Sequence, residues 1–239
     1  MGQVNTKTLG LLLNEMKGSA AFKVLIRKPK VVDMDTFIEE IKLVGRSITP
    51  KFTIDDYNEF AYKNIALWLH GQPFLCLDPD TRKIIEGDPT KGIYVAGGTG
   101  TGKSLSLRIL NYLSKQHGFT VTYSGETTSV SLQWDEIHAS GIVDKVLKTG
   151  DVKAINDHRI LCIQDLGTEP PETVYMGNRI DPVKMLLEKR GDDMDKLTLI
   201  TSNYPMGHDF IAERYGSRVK SRLRAMCNYF EMTGNDRRR

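Results

Sequence analysis

Val95-Ala96-Gly97-Gly98-Thr99-Gly100-Thr101-Gly102-Lys103-Ser104 satisfies the spacing G-x-x-x-x-G-K-S/T, with Gly97, Gly102, Lys103 and Ser104 at the four fixed places. A backbone that aims successive N–H groups at one anion must curl tightly, partly at positive φ, and a Cβ there would intrude on the anion. Gly97, Gly98, Gly100 and Gly102 supply that freedom. Lys103 neutralises charge on β- and γ-phosphates, and the Ser104 hydroxyl is the small neutral oxygen that a half-hydrated Mg²⁺ accepts. The stretch reads as a nucleotide phosphate cradle, and its flanks fit. Ile93-Tyr94-Val95-Ala96 is an apolar run suited to a buried parallel strand. Beyond the loop, Leu105, Ile109, Tyr112 and Leu113 recur at helical spacing, so a helix N-terminus adds partial positive charge to the site. The candidate binding residues are Gly97, Gly98, Thr99, Gly100, Thr101, Gly102, Lys103, Ser104 and Leu105.

The chain has 239 residues, enough for one large domain, or for one domain with an appendage. Hydrophobic residues at 40% and charged residues at 26% argue against disorder, and no apolar run approaches the ~18 residues of a membrane helix. A soluble protein without a secretory signal is expected. Cys76, Cys162 and Cys227 form no C-x-x-C pair, which suggests buried thiols in a reducing, cytoplasmic setting. Met1-Gly2-Gln3-Val4-Asn5-Thr6 fits a myristoylation pattern, but no second membrane signal adjoins it. The net charge of +3 hides an asymmetry: from Ile211 to Arg239 there are eight Lys or Arg against three acids. Basicity at that end makes phosphate-bearing partners plausible.

Upstream of the loop the pattern is helical. Thr36 to Val44 carries Phe37, Ile38, Ile41 and Val44 on one side, with Asp35 placed to cap it and Gly45 to end it. Thr53 to His70 repeats the logic with Ile54, Tyr57, Phe60, Ala61, Ile65, Trp68 and Leu69. Residues 1–54 therefore read as a helical N-terminal extension, a candidate partner-binding region, and residues 55–239 as the domain that carries the loop.

Downstream, Phe119 to Tyr123 alternates as a strand, and a helical region around Ser131 to Leu147 follows. Ile160-Leu161-Cys162-Ile163-Gln164-Asp165 is an apolar run ending in a carboxylate, the form in which a buried strand delivers an acid to magnesium beside a phosphate loop. Asp181-Pro182 caps a helix that Gly191 closes. Leu197 to Thr201 is a further strand, and Asn203 after it reads either as a ligand-facing residue at the carboxyl edge of the sheet or as turn chemistry with Pro205. Ser217 to Met226 is a short helix and Tyr229 to Met232 a fifth strand. Alternation of this kind predicts an α/β, doubly wound, mainly parallel sheet.

With the loop, Ile160 to Glu169, Thr201-Ser202-Asn203 and Tyr215-Gly216-Ser217-Arg218-Val219-Lys220-Ser221-Arg222-Leu223 in this order, residues 55–239 resemble the DnaC/IstB-like AAA+ ATPases. The resemblance implies strand order 5-1-4-3-2, ATP and Mg²⁺ as cofactors, Asn203 as sensor 1, and Arg222 as an arginine finger given to a neighbouring subunit of a homo-oligomeric ring or spiral. It implies a further basic contact from Arg237 or Arg238. It also implies a DNA replication protein that loads a replicative helicase on single-stranded DNA, or an IstB-like transposition helper. One departure matters. The family's paired acids at the end of this strand are here Gln164 and Asp165. Either Asp165 serves the metal with Ser104, leaving Glu169 or nothing to polarise water, or Asp165 acts on the water and the metal is held by Ser104 and solvent. A neutral amide is a poor magnesium ligand. Slow hydrolysis, or a nucleotide-gated adaptor that barely hydrolyses, follows as an alternative. A small-molecule kinase would need an arginine-rich lid closing on an acceptor, and the arginines here come beyond the fourth strand.

Overall fold

The computed structural model describes residues 25–123, 126–193 and 195–237. Seven strands form its main sheet: β1 (Leu75–Leu77), β2 (Ile84–Glu86), β3 (Gly92–Ala96), β4 (Asp135–His138), β5 (Ile160–Leu166), β6 (Leu197–Ser202) and β7 (Cys227–Glu231), in the order β2-β1-β7-β3-β6-β5-β4. The five from β7 to β4 pair in parallel, and the β1–β2 hairpin adds to β7 antiparallel. β3, β5 and β6 are buried almost throughout because both of their faces are covered, as in parallel sheets generally. Ile93, Val95, Leu199 and Phe230 face one layer. It is built by α1 (Met34–Ile48), α2 (Glu59–Leu69) and α3 (Lys103–Gln116). Tyr94, Ile163, Ile200 and Tyr229 face the other, built by α4 (Ala139–Thr149), α5 (Lys153–Asn156), α6 (Pro182–Asp192), α7 (Asp209–Tyr215) and α8 (Ser217–Met226). No helix among the described residues is long and apolar enough to cross a membrane.

Several local expectations change. Thr120–Tyr123 is a strand, but it joins Leu25–Ile26 and Ser129–Ser131 in a separate antiparallel sheet. The edge strand of the main sheet comes instead from Asp135–His138, inside the stretch read as helical. Of its four residues only Ile137 is apolar, so the backbone ladder to β5 holds it and the sequence pattern gives no signal. Helix α1 begins after Asp33 and runs through Gly45 to Ile48; the bare Cα of Gly45 lets the Phe52 ring pack where a Cβ would lie 2.3 Å away. Gly191 likewise lies within α6, with the aliphatic stem of Arg222 against it. Ile54 and Tyr57 precede α2 rather than extending its stripe, and Tyr57 is exposed.

The described part of the extension packs on the domain core. Phe37 of α1 meets the rings of His70, His117 and Phe119 at 4.6, 5.4 and 6.4 Å, and Leu25 pairs with Tyr123. The remainder, with the Gly2 pattern, lies outside the described residues. His70 is 5% exposed, and burial lowers its pKa below the ordinary 6.5, offset in part by its Nδ1 contact with the Ala66 carbonyl at 2.8 Å. A base whose folded pKa is depressed contributes full stability above its unfolded pKa and loses it as the unfolded form takes up the proton. The thermal midpoint should therefore fall as pH drops below 6.5, and His70→Gln should flatten that dependence in melts taken from pH 7.5 to 5.5.

Candidate functional site

Register brings the site together. Ala96, the last residue of β3, pairs with Ser202 of β6 and Glu231 of β7, so the phosphate loop, Asn203 and the chain leaving β7 emerge side by side at the carboxyl edge of the sheet. Gly100 and Gly102 take φ of +79° and +98°, the left-handed turns that let the loop close onto the N-terminus of α3. The Lys103 ammonium, nearly buried, donates to the carbonyls of Gly97 and Gly98 at 2.9 and 2.8 Å and to Asn203 Oδ1 at 2.9 Å. A buried charge needs such oxygens around it. Asn203 is thus held against the loop lysine.

The carboxylate strand is irregular where chemistry was expected. Between the pairs Ile163 with Ile200 and Leu166 with Ser202, β5 carries one residue more than β6, and Asp165 takes φ +54° in this bulge. An extra strand residue re-aims side chains. The Thr201 hydroxyl stabilises the bulge, accepting from the Asp165 amide at 2.9 Å and donating to Gln164 Oε1 at 2.7 Å. The amide of Gln164 is therefore buried and engaged, while Asp165 lines the cavity at the loop. His138, at the end of β4, lies 2.8 Å from Asp165 Oδ2 through Nε2. Sequence reading missed His138 because it assigned that stretch to a helix; a strand reading would have placed it at the same sheet edge.

Two residues proposed from sequence have different surroundings. The Glu169 side chain is fully buried: Oε2 accepts from the Gly167 amide at 2.9 Å, and Oε1 accepts from Arg214 at 3.0 Å and from the Tyr215 hydroxyl. Burial, and then the adjacent Glu169 carboxylate, push the Tyr215 phenol far above its ordinary range, so it stays a donor. Glu169, read from sequence as a residue that could polarise water, fixes the turn after β5 to α7 and does not line the cavity. Arg222 donates to the Glu188 carbonyl at 2.7 Å and pairs with Asp192 of α6, and it is absent from the cavity lining.

The cavity measures about 390 Å³. The loop from Thr99 to Leu105 forms one wall, and the segment Ile48–Thr53 with Asn58 and Tyr62 forms another. Four basic side chains line it, Lys51, Lys103, Arg108 and Arg237, against one carboxylate, Asp165. Lys51, Arg108 and the wall before α2 escaped the sequence reading, since they belong to no motif. The charge asymmetry of the C-terminal end is largely neutralised locally: Arg214, Lys220, Arg222, Arg224 and Arg237 each pair with an acid. Arg238 lies outside the described residues.

Removing the buried Glu169 charge leaves Arg214 and Tyr215 short of their acceptor, and loss of one partner of a buried pair costs about 3 kcal/mol. Glu169→Gln should lower stability by that order in denaturant melts while leaving nucleotide affinity of the folded protein unchanged. A selective loss of turnover at native stability would return Glu169 to the catalytic set.

No protein-family model and no curated protein sequence matches the chain. Among solved structures it is similar to a candidate primosome component from Streptococcus pyogenes serotype M3, at 19% identity over 75% of this chain and 81% of that one, with a TM-score of 0.50. It is also similar to the DnaC helicase loader, at 15% identity over 76% and 93% with a TM-score of 0.48, and to DnaI, at 19% over 80% and 93% with a TM-score of 0.46. At these identities the likeness concerns fold alone, and the primosome component carries it. With the phosphate loop at the head of β3 and the carboxylate strand next but one to it, the chain shares its fold with that primosome component.

Proposed function

We propose that this chain is an ATP-binding, slowly ATP-hydrolysing AAA+ protein of DNA replication that loads or regulates a replicative helicase on single-stranded DNA. The cavity carries the nucleotide part of this reading. Four cations facing one carboxylate suit a polyanion, and Ile48 and Phe52 on the facing wall offer apolar surface to a base. Ser104 and Asp165 line that same space and would hold Mg²⁺, with phosphate oxygens and water completing its shell. The ion, when bound, neutralises charge shared by the β- and γ-phosphates. Lys103 exchanges the carbonyls of Gly97 and Gly98 for phosphate oxygens, and Asn203 orients it. The replication part rests on the order of motifs and on the likeness to a primosome component, with residues 1–54 as the partner-binding region and residues 55–239 as the ATPase domain.

Hydrolysis is slow in this reading for a specific reason. Gln164 is engaged with Thr201, Glu169 with Arg214 and Tyr215, so Asp165 alone must serve the metal or the water. The same observation favours, as a second reading, a nucleotide-gated adaptor that responds to ATP binding with little turnover.

Lys103→Ala should abolish tight binding of Mg·ATP in an equilibrium titration while the fold remains, because the residue sits at a ligand site. Unchanged affinity would remove the phosphate-cradle assignment. Arg222 is our candidate for the residue offered to a neighbour's nucleotide in a ring or spiral, which requires its pair with Asp192 to open on assembly. A guanidinium fork at a transferring phosphoryl group is worth about 10³ to 10⁵ in rate. Arg222→Ala and Lys103→Ala should each be inactive, and mixing them should restore part of the turnover, since some interfaces then join an intact loop to an intact finger. No recovery from two folded, co-assembling variants would favour the adaptor.

A further inference from the structure

The chain leaving β7 does more than end the sheet. It crosses the phosphate loop: the Arg237 amide donates to the Gly100 carbonyl at 3.0 Å, and the Asp236 carboxylate occupies the space where a Cβ of Gly100 would stand. It also binds the turn that joins the extension to α2, through the Thr233 amide on the Tyr57 carbonyl at 3.1 Å. At the crossing point the Arg237 guanidinium lines the cavity, yet it is held by a fork on Asp55, with NH1 to Oδ2 at 2.8 Å and NH2 to Oδ1 at 2.7 Å. Asp55 organises the turn as well, accepting from the Tyr57 amide at 3.0 Å and lending its own carbonyl to the amides of Asn58 and Glu59. One cation thus faces a cavity suited to phosphate while gripping an acid of the extension's exit.

Resting on the nucleotide assignment above, we propose that Asp55 competes with nucleotide phosphate for Arg237, so that filling the cavity loosens the turn at residues 53–58 from the tail. Asp55 takes both terminal nitrogens of the guanidinium, so a phosphate that claims the same Nη1–Nη2 edge must displace it. The fork rests on Asp55 in this structure, and an incoming triphosphate with its greater charge draws it across. The turn then keeps its Thr233–Tyr57 bond but loses the ion pair that holds it to the tail, and the segment from Ile48 to Asn58, itself a wall of the cavity, shifts with it. Asp55 is a positioning residue in this scheme, and nucleotide occupancy is reported to the extension through a single exchange of ion-pair partners. The direction of coupling is reciprocal: a partner that pulls the extension off Asp55 raises affinity for nucleotide.

The test uses the full chain, ATPγS with Mg²⁺, and two readouts, equilibrium affinity and hydrogen exchange of the 53–58 backbone. Asp55→Asn keeps an oxygen for the Tyr57 amide while removing the competing charge. It should tighten ATPγS about threefold to fivefold, the size of a partly exposed ion pair released, whereas Arg237→Ala should weaken it about tenfold or more. In the Arg237→Ala background Asp55→Asn should have no further effect on affinity. Exchange at residues 53–58 should rise on adding ATPγS to the wild type and stand already raised in Asp55→Asn without nucleotide. If Asp55→Asn fails to fold, Arg237→Lys, which lacks the fork, should show the same raised exchange in the absence of nucleotide. Wild type that binds ATPγS with exchange unchanged, or Asp55→Asn that leaves affinity unchanged or weaker, overturns the competition and leaves the nucleotide site standing. A wild type that binds no ATPγS at all overturns the nucleotide assignment itself.

Discussion

An ammonium buried at the head of a sheet has to be surrounded by oxygens, and that requirement organises this molecule. Lys103 takes two carbonyls from the curled loop and a side-chain oxygen from Asn203 on the strand next door. The contacts cannot form unless β3 and β6 are adjacent and in register, with Ala96 opposite Ser202. They also require the left-handed turns at Gly100 and Gly102, which bring the loop back over its own helix. A parallel pair that slips by one residue would carry Asn203 to the other face and take from the buried ammonium one of the oxygens that surround it.

Acids are arranged around that cation with equal strictness. The bulge in β5 separates two neighbours in sequence, sending Gln164 inward to Thr201 and Asp165 outward to the cavity and His138. Four residues later Glu169 is drawn into a closed set with Arg214 and Tyr215, where it ties the end of β5 to α7. Three polar groups that look interchangeable in the sequence therefore acquire three distinct tasks, and the tasks are set by backbone geometry and burial. The outcome is a cavity with a single carboxylate, which admits a highly charged anion and limits what can be done to it.

Sequence reading found what local chemistry dictates. The loop needs glycine at defined offsets, the buried strands need mainly apolar runs, and Asp181-Pro182 opens a helix, with Asp181 accepting from the Lys184 amide at 3.0 Å. It failed where a partner distant in sequence decides. Asp135–His138 has no strand pattern and becomes a strand because β5 offers a ladder; Gly45 and Gly191 look like helix ends and are instead seats for Phe52 and Arg222. The basic end of the chain read as a surface for phosphate, while in the fold most of its arginines find acids that lie 30 to 182 residues away. Long-range ion pairs leave no trace in spacing or periodicity. A charge count is accordingly weaker ground for a nucleic-acid surface than a glycine loop is for a phosphate.

The boundary read from sequence near residue 54 also takes on a different meaning. In sequence the helical stretch before residue 54 contains no chemistry and looks detachable. In the fold, α1 packs on α3, and the turn that follows it closes one side of the cavity whose other side is the phosphate loop. Whatever binds the cavity touches both, because a space of about 390 Å³ shared by two walls cannot fill without fixing their separation. Dense packing passes such a displacement along α1 with little room to absorb it. The extension is therefore placed to respond to the state of the loop through packing as well, and any partner that grips it acts on the same wall from the opposite direction.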